Sequence, residues 1–533
     1  MSQQNGRYTA AKPFNLAAGW SLKRLTHPSR LFGANGLRTG PDGRIYVAQV
    51  SGSQVSAINV ETGVIDVISP KGGDIVAPDD LVFDPDGNLY ATEITEGRVS
   101  VRAPNGTTRV LYGDMPVANP ITFHQGRLIA GECRIGGRIM ELDLDGGPPR
   151  VILDNVPMPN AFEVGPDGKL YLPVMATNEI WRVSLEGGAP EKVAANLGVP
   201  DSVKFDSKGF IISTQVHSGQ VLRIDPRTGD QTVLAQLTPG LDNVTFVGER
   251  MFVSNISGYI TEILAGGKTR ELVPDGLNWP LGLGIDPDGL LFVADGPFSY
   301  TLRPGHEREL AGMLFTPGYP GYSRGVAAAG PGEFIVTTAT AKGDVARYWP
   351  AMQKSEVLAS GFDQLYGVAI APRGAVIFAE QGAGRVLSVQ TNHVEVLATG
   401  LRQPSGVAVG SDDTCFICES AAGRVVKLSG GRTDTVLDGL QKPQGIALRG
   451  SLLYIVDAGA KDLIEYDLTS RVRRIIASNL PVGAPPGVVA KFLGPIGTFS
   501  GPMGPFAGIA AGADGTLYVS GDAEGSVLAV RPA

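Results

Sequence analysis

Asn35, Asp79, Asn119, Asn160, Asp201 and Asp242 stand at one recurring place in the first half of the chain. Each lies just ahead of a short apolar run, in the segments ANGL, PDDL, ANPI, PNAF, PDSV and LDNV. Short carboxylate and amide side chains brought to one point suit a hard divalent cation. Calcium takes roughly 6–8 oxygen ligands in flexible geometry, and magnesium fewer with retained water. Zinc is a poorer expectation, because it favours His and Cys and the five histidines are scattered. In the second half the same place holds Leu281, Arg324, Tyr366, Ser405, Gln444 and Ala507. Asn and Asp favour turns for local hydrogen bonding. That habit does not explain why the second half, with the same turns, drops the pattern.

The elements that would carry these residues repeat at a period of about 40 residues, the spacing of four-stranded propeller blades. The unit is a strand, a Pro-Asp-Gly type of turn, a second strand, a loop and two further strands. The turn stands at Pro41-Asp42-Gly43, Pro85-Asp86-Gly87, Pro166-Asp167-Gly168 and Pro287-Asp288-Gly289. Asp-Gly is strong hairpin chemistry because Gly accepts the positive φ of the turn. Twelve such units exceed the usual ring of roughly 4–8 blades. The expected fold is therefore all-β: two tandem six-bladed β-propellers of four-stranded blades, over residues 1–267 and 268–533. In the simplest wiring each propeller opens with an outer strand, GWSLKRL in one and TRELVPDGL in the other, which closes its own ring and leaves no free edge. The rival wiring has GWSLKRL closing the second propeller, with the first inserted. A Gly/Pro-rich insertion at 481–505 interrupts the last repeat and is expected on the upper face of the second propeller. It reads equally as a binding loop or an interdomain plug.

Composition narrows the partners. A net charge of −8 in 533 residues argues against nucleic acid and anionic membranes. No apolar run approaches the roughly 18 residues of a membrane span, and the N-terminus has no leader-like apolar region. A cytoplasmic protein acting on a small molecule is expected. Cys415 and Cys418 form a CxxC within an apparent strand, which points the two thiols to opposite faces. They are expected to be core residues rather than a redox or metal pair.

In a propeller the start of each inner strand and the end of the second strand share one face. The six Asn/Asp residues should therefore ring the mouth of the first channel. Gln49, Glu93, Glu132, Thr214 and Asn255 join them there, with His217, Cys133 and Arg134 on adjoining loops. Acids also end second strands in the other half, at Asp295, Glu380, Glu419 and Asp457. Glu93 and Glu132 are thus expected chiefly to satisfy backbone donors. Arg324 and Tyr366 read as recognition groups of a second pocket or as plugs of its channel.

The segments ANGL, PDDL, PDSV and LDNV, each opening a strand before a PDG-like turn, resemble the SMP-30/gluconolactonase/paraoxonase-like group of six-bladed propellers. The resemblance implies a divalent cation, usually calcium, with magnesium or manganese possible, at the channel mouth. Its ligands would be Asn119, Asn160 and Asp201, with Asp242 a fourth. Asp242-Asn243 resembles the Asp-Asn pair of paraoxonase-like members. Asn35 departs from the Glu that the group carries in its first blade. The implied activity is metal-dependent hydrolysis of a lactone or related ester. Asp201 or Glu132 would activate water, with His217 as an alternative proton shuttle. Asp79, Glu93, Arg134 and Asn243 complete the set as substrate contacts. A metal-assisted lyase or isomerase and a non-enzymatic binding scaffold are the other readings.

Overall fold

The computed structural model describes residues 7–8, 12–303, 305–391 and 393–533. The chain is all-β. Among the described residues it forms twelve antiparallel sheets of four strands, one of them extended by a fifth short strand. The expected turns are present: Gly87 and Gly168 adopt φ of 81° and 75°, and the Asp167 carboxylate accepts the Lys169 N–H at 3.2 Å.

Six sheets make up each of two compact units. The first propeller comprises Arg30–Asp275 together with Val489–Gly497, and the second comprises the residues up to Ser29, Gly276–Val488 and Thr498–Ala533. Within each unit the innermost strands neighbour one another in order, and the last returns to the first. Ring closure is tightest in the second propeller. A Cβ added to Gly282, Gly325, Gly367, Gly406, Gly445 or Gly508 would lie 2.1–2.6 Å from the carbonyl oxygen of Arg324, Tyr366, Ser405, Gln444, Ala507 and Leu281 respectively. No side chain fits there. The glycines permit six backbones to meet, and Gly508 against Leu281 closes the circle.

The core is distributed as wedges between neighbouring sheets. One wedge joins Val82, Tyr90 and Val99 to Ile121, Leu128 and Met140. Another joins Leu37 and Ile45 of the first blade to Phe252 and Ile260 of the sixth. Burying each such Leu, Ile or Phe contributes about 1.5–3 kcal/mol, so the ring is held by the faces its blades present to each other.

The wiring corrects three expectations. Trp20–Arg24, within GWSLKRL, pairs antiparallel with Ser526–Pro532 and so supplies the fourth strand of the second propeller's last blade. Thr269–Val273, within TRELVPDGL, pairs with Ile260–Ile263 as the fourth strand of the first propeller's own last blade. The division at 267/268 therefore gives way to a first propeller inserted into the second. The physical reason is edge closure: the last blade ends at its third strand, and the N-terminal strand covers that edge. The 481–505 insertion is also divided. Its central residues Val489–Gly497 belong to the first propeller, where a Cβ on Gly494 or Gly497 would lie 3.1 Å from the Thr95 carbonyl and 3.0 Å from the Val117 side chain.

Deleting residues 12–25 should therefore expose the Ser526–Pro532 edge and unfold the second propeller first. Differential scanning calorimetry should show its transition lowered while that of the first propeller is unchanged. A lowered first-propeller transition would contradict this wiring.

Candidate active site

Four of the six Asn/Asp side chains are set by irregularities in the blades. Asp79, Asn119, Asp201 and Asp242 each follow the first paired residue of an inner strand. At that point the register to the second strand shifts, between Pro78 and Leu81, Ala118 and Ile121, Pro200 and Val203, and Leu241 and Val244. Such bulges re-aim side chains. The second propeller has the same shifts at Pro280/Leu283, Leu365/Val368 and Pro404/Val407. The backbone device is thus common to both units, and only the residue it presents differs.

Hydroxyls fix these positions from the neighbouring blade. Thr92 donates to the Asn119 carbonyl at 2.7 Å, Thr214 to the Asp242 carbonyl, and Ser254 to the Asn35 carbonyl at 2.8 Å. Thr214 is thereby corrected: it bridges blades, and Gln215 occupies the strand end, taking the Gly198 N–H at 2.9 Å.

All six residues are buried, and the structure draws several together. Asn35 Nδ2 donates to Asp242 Oδ2 at 3.2 Å, Asn243 Nδ2 to Asp242 Oδ1 at 2.9 Å, and Asn160 Nδ2 to Asp201 Oδ2 at 2.9 Å. Asp201 Oδ1 is buried and meets no N–H or alcohol O–H donor among the described residues, and the Asp201 carboxyl lies within hydrogen-bonding reach of the Asp242 carboxyl if the pair shares a proton. Asp79, Asp201 and Asp242 form no ion pair among those residues, yet they act on one another electrostatically. Burial raises the Asp79 carboxyl well above the usual carboxylate range, aided by Asp242 and Asp80. Burial raises Asp201 likewise, aided by Asp242 and Asp79. Asp242 is pushed up to about 7, chiefly by burial. Three carboxyl groups crowded and desolvated in this way suit a bound divalent ion, whose charge would offset the desolvation and mutual repulsion of their ionised forms. Among the described residues no group of three or more His, Cys, Asp or Glu stands ready-made as a metal-binding set. The oxygens gathered here come partly from Asn35, Asn119 and Asn160.

Other candidates take different roles. Glu132 is fully buried, with one oxygen held by Arg134 at 2.8 Å and the other by Arg138. Glu93 accepts the Val76 N–H and the Arg98 guanidinium, each at 2.7 Å, and the Ser100 hydroxyl. Both are clamps for loops of their own blades. Glu132 is thus engaged by two guanidinium groups and Glu93 by one, while the Arg134 side chain is tied to Glu132 and partly exposed. Asp295 does the same in the second propeller, accepting the N–H groups of Asn278 and Trp279. Asn255 holds Tyr259 and the Pro239 carbonyl. His217 is exposed on its loop.

A floor lies beneath the mouth that the sequence reading missed. Three residues after each ring position stand Arg38, Val82, Thr122, Glu163, Lys204 and Thr245. Arg38 pairs with Glu163 at 2.9 Å, Lys204 pairs with Glu163, and Arg38 lies 3.9 Å from Asp80. Burial works against ionisation of Glu163, but Lys204 and Arg38 outweigh it and draw its carboxyl down to about 2. Reading three residues on from each Asn/Asp would have found this layer. The corresponding residues of the second propeller are Gly284, Ala327, Ala369, Ala408, Ala447 and Ala510. There Arg324 and Tyr366 act as plugs. The Arg324 guanidinium stacks on the Tyr366 ring and donates to the carbonyls of Leu365 at 3.0 Å and Pro502 at 2.8 Å. Phe506 packs edge-on against Tyr366, over a cavity of about 30 Å³.

Residues 32–257 match the family model described as SMP-30/Gluconolactonase/LRE-like region. No curated protein matches the chain. Similar solved structures include a streptogramin B lyase, 18% identical over 52% of this chain and 94% of that one, with a TM-score of 0.39. A virginiamycin B lyase from Staphylococcus aureus is 18% identical over 52% of this chain and 96% of that one, also with a TM-score of 0.39. A gluconolactonase from Xanthomonas campestris is 17% identical over 46% of this chain and 93% of that one, TM-score 0.39. The segment that builds the Asn/Asp mouth thus matches the model of the family that its repeat motifs resemble.

Proposed function

We propose that the first propeller is a divalent-metal-dependent hydrolase of a lactone or related ester. The family match supports a propeller enzyme of hydrolase or lyase character. The observation that carries the finer reading is the convergence of Asp79, Asp201 and Asp242, buried, without ion pairs among the described residues and acting on one another electrostatically. Asp201 and Asp242, with Asn119 and Asn160, would hold the cation. When bound, it supplies Lewis-acid polarisation of the substrate carbonyl.

The remaining work falls to the protein's own groups. Asn35 and Asn243 hold the Asp242 carboxylate by their amides, which fixes its oxygens toward the mouth. Asp79 is the base of this proposal: it is mostly buried, and no hydrogen bond engages its carboxylate among the described residues. It takes a proton from water as the water oxygen attacks the carbonyl carbon. The ring C–O bond then breaks, and the proton passes to the departing alkoxide. The product is a hydroxy acid, one water heavier than the lactone. The ion-paired Arg38, Glu163 and Lys204 stand three residues on from the ring positions, with the Glu163 carboxylate shared between the two cations.

Two outcomes follow. Stripped of metal, the chain should gain thermal stability on adding a divalent cation, by about 2.7 kcal/mol at 100 times Kd. Asp201→Asn should abolish most of that gain, whereas Glu419→Gln, a clamp in the second propeller, should not. An unchanged melting temperature with every divalent ion tested contradicts a metal site. Mass spectrometry of product from a lactone panel should show addition of one water, and Asp79→Asn should lower kcat by about 10²–10⁴-fold while leaving metal content intact. Product of unchanged mass would instead assign elimination or isomerisation.

A further inference from the structure

The second propeller, whose mouth is plugged, carries a larger cavity elsewhere. It lies between the fourth and fifth blades and has a volume of about 650 Å³, within the roughly 300–1,000 Å³ usual for small-molecule sites. Phe416, Leu448 and Leu468 give it an apolar wall, and Lys427, Tyr466 and Arg471 stand beside that wall. Tyr466 is only 7% exposed, yet its hydroxyl has no hydrogen-bond partner among the described residues. Buried polar groups are nearly always paired, so a hydroxyl left open on a cavity wall points to a ligand. The Lys427 ammonium and the Arg471 guanidinium likewise make no hydrogen bond or ion pair among those residues. Asp434 stands across the strands from Lys427 without pairing with it. Asp412, the carboxylate of the lining, feels Lys427 electrostatically but is taken up by its own turn. It accepts the Thr414 N–H at 3.1 Å and the Thr414 hydroxyl at 2.7 Å.

The same place in the first propeller, between its own fourth and fifth blades, is smaller, at about 350 Å³, and its arginines are spent. Arg182 is held by Glu191 at 2.7 Å and Arg227 by Asp225 at 2.8 Å, while the Tyr171 hydroxyl donates to Asp167 at 3.0 Å. Phe416 and Lys427 stand four and fifteen residues after Asp412, as Tyr171 and Arg182 do after Asp167. The phenylalanine removes the hydroxyl that would reach the turn, and the lysine is left unpaired. Arg471 is a further departure. Its N–H donates to the Asp467 carbonyl at 2.7 Å, as Gly229 donates to Asp225 and Gly63 to Asn59, each at 2.8 Å. Those glycines have φ of 78° and 67°, and Arg471 has φ of 59°. A left-handed backbone that glycine adopts freely is costly for arginine, and such cost is often borne at ligand sites. We infer that this groove binds a small organic anion, its carboxylate received by Lys427, Arg471 and the Tyr466 hydroxyl and its aromatic body laid against Phe416, Leu448 and Leu468. The inference does not depend on the metal or the reaction proposed for the first propeller.

Cinnamate is the probe, and its neutral amide, cinnamamide, is the comparison. In calorimetric titration of the full-length chain, cinnamate should bind, and cinnamamide should bind at least about 10-fold more weakly for want of charge-assisted hydrogen bonds. That comparison uses the unsubstituted protein and needs no variant to fold. Arg471→Gly should weaken cinnamate by at least about 10-fold while the chain stays folded by circular dichroism, because glycine suits that backbone. Lys427→Met should weaken it similarly, and Tyr466→Phe should weaken it less. Arg227→Gln, in the counterpart groove of the first propeller, should leave cinnamate affinity unchanged. Absence of cinnamate binding, equal binding of cinnamamide, or an affinity that survives both Arg471→Gly and Lys427→Met would overturn the site. Loss of binding in Arg227→Gln alone would place the anion in the first propeller and overturn it as well.

Discussion

Everything at the two mouths depends on how closely the inner strands approach one another at the top of each ring. A hydroxyl near the end of one blade's second strand donates to the carbonyl of the mouth residue on the next blade. Thr92, Thr214 and Ser254 do this in the first propeller, and Thr337 and Ser520 do it for Tyr366 and Leu281 in the second. Such bonds are individually worth only about 0.5–1.5 kcal/mol. Their geometric effect is larger: they fix the carbonyl of the mouth residue, and the register shift beside it turns the side chain toward the axis. Whatever residue stands there is delivered to the channel.

The two propellers use that delivery in opposite ways. The first places three aspartates and three asparagines at the mouth over a charged floor, an arrangement that costs desolvation and repulsion unless a cation joins it. The second has glycine one residue on and glycine or alanine three residues on, so its strands close to a narrow wall. Its mouth holds Arg324, Tyr366 and Phe506 against one another. A buried guanidinium bonded to backbone carbonyls fills that space, and burial lowers its proton affinity. One chain thus carries a mouth of carboxyl and amide groups and a mouth plugged by Arg324 and aromatic rings on the same blade plan.

The blades were legible in the sequence because the Asp-Gly turns and apolar alternation are local signals, and strands pair with their sequence neighbours. The ring of Asn and Asp was legible because the period exposes one position in register. The wiring was not. Whether GWSLKRL closes its own ring or the other depends on pairing across 500 residues, which no local pattern encodes. The Glu132 clamp could be read only in part: acids in both halves pointed to backbone satisfaction, but Arg134 and Arg138 complete the clamp through geometry. Thr214 was misplaced by one residue, enough on a strand to move a side chain to the opposite face. The Arg38–Glu163–Lys204 floor was missed because it lies off the single position that the repeat brings forward.

The central claim is that the mouth of the first propeller, and not that of the second, is a metal site. Anomalous diffraction from crystals grown with zinc or manganese tests this most directly. The account predicts one strong anomalous peak at the first mouth, within ligand distance of Asp201 and Asp242. A first mouth without a peak, or the peak at Arg324 and Tyr366 of the second, would contradict it.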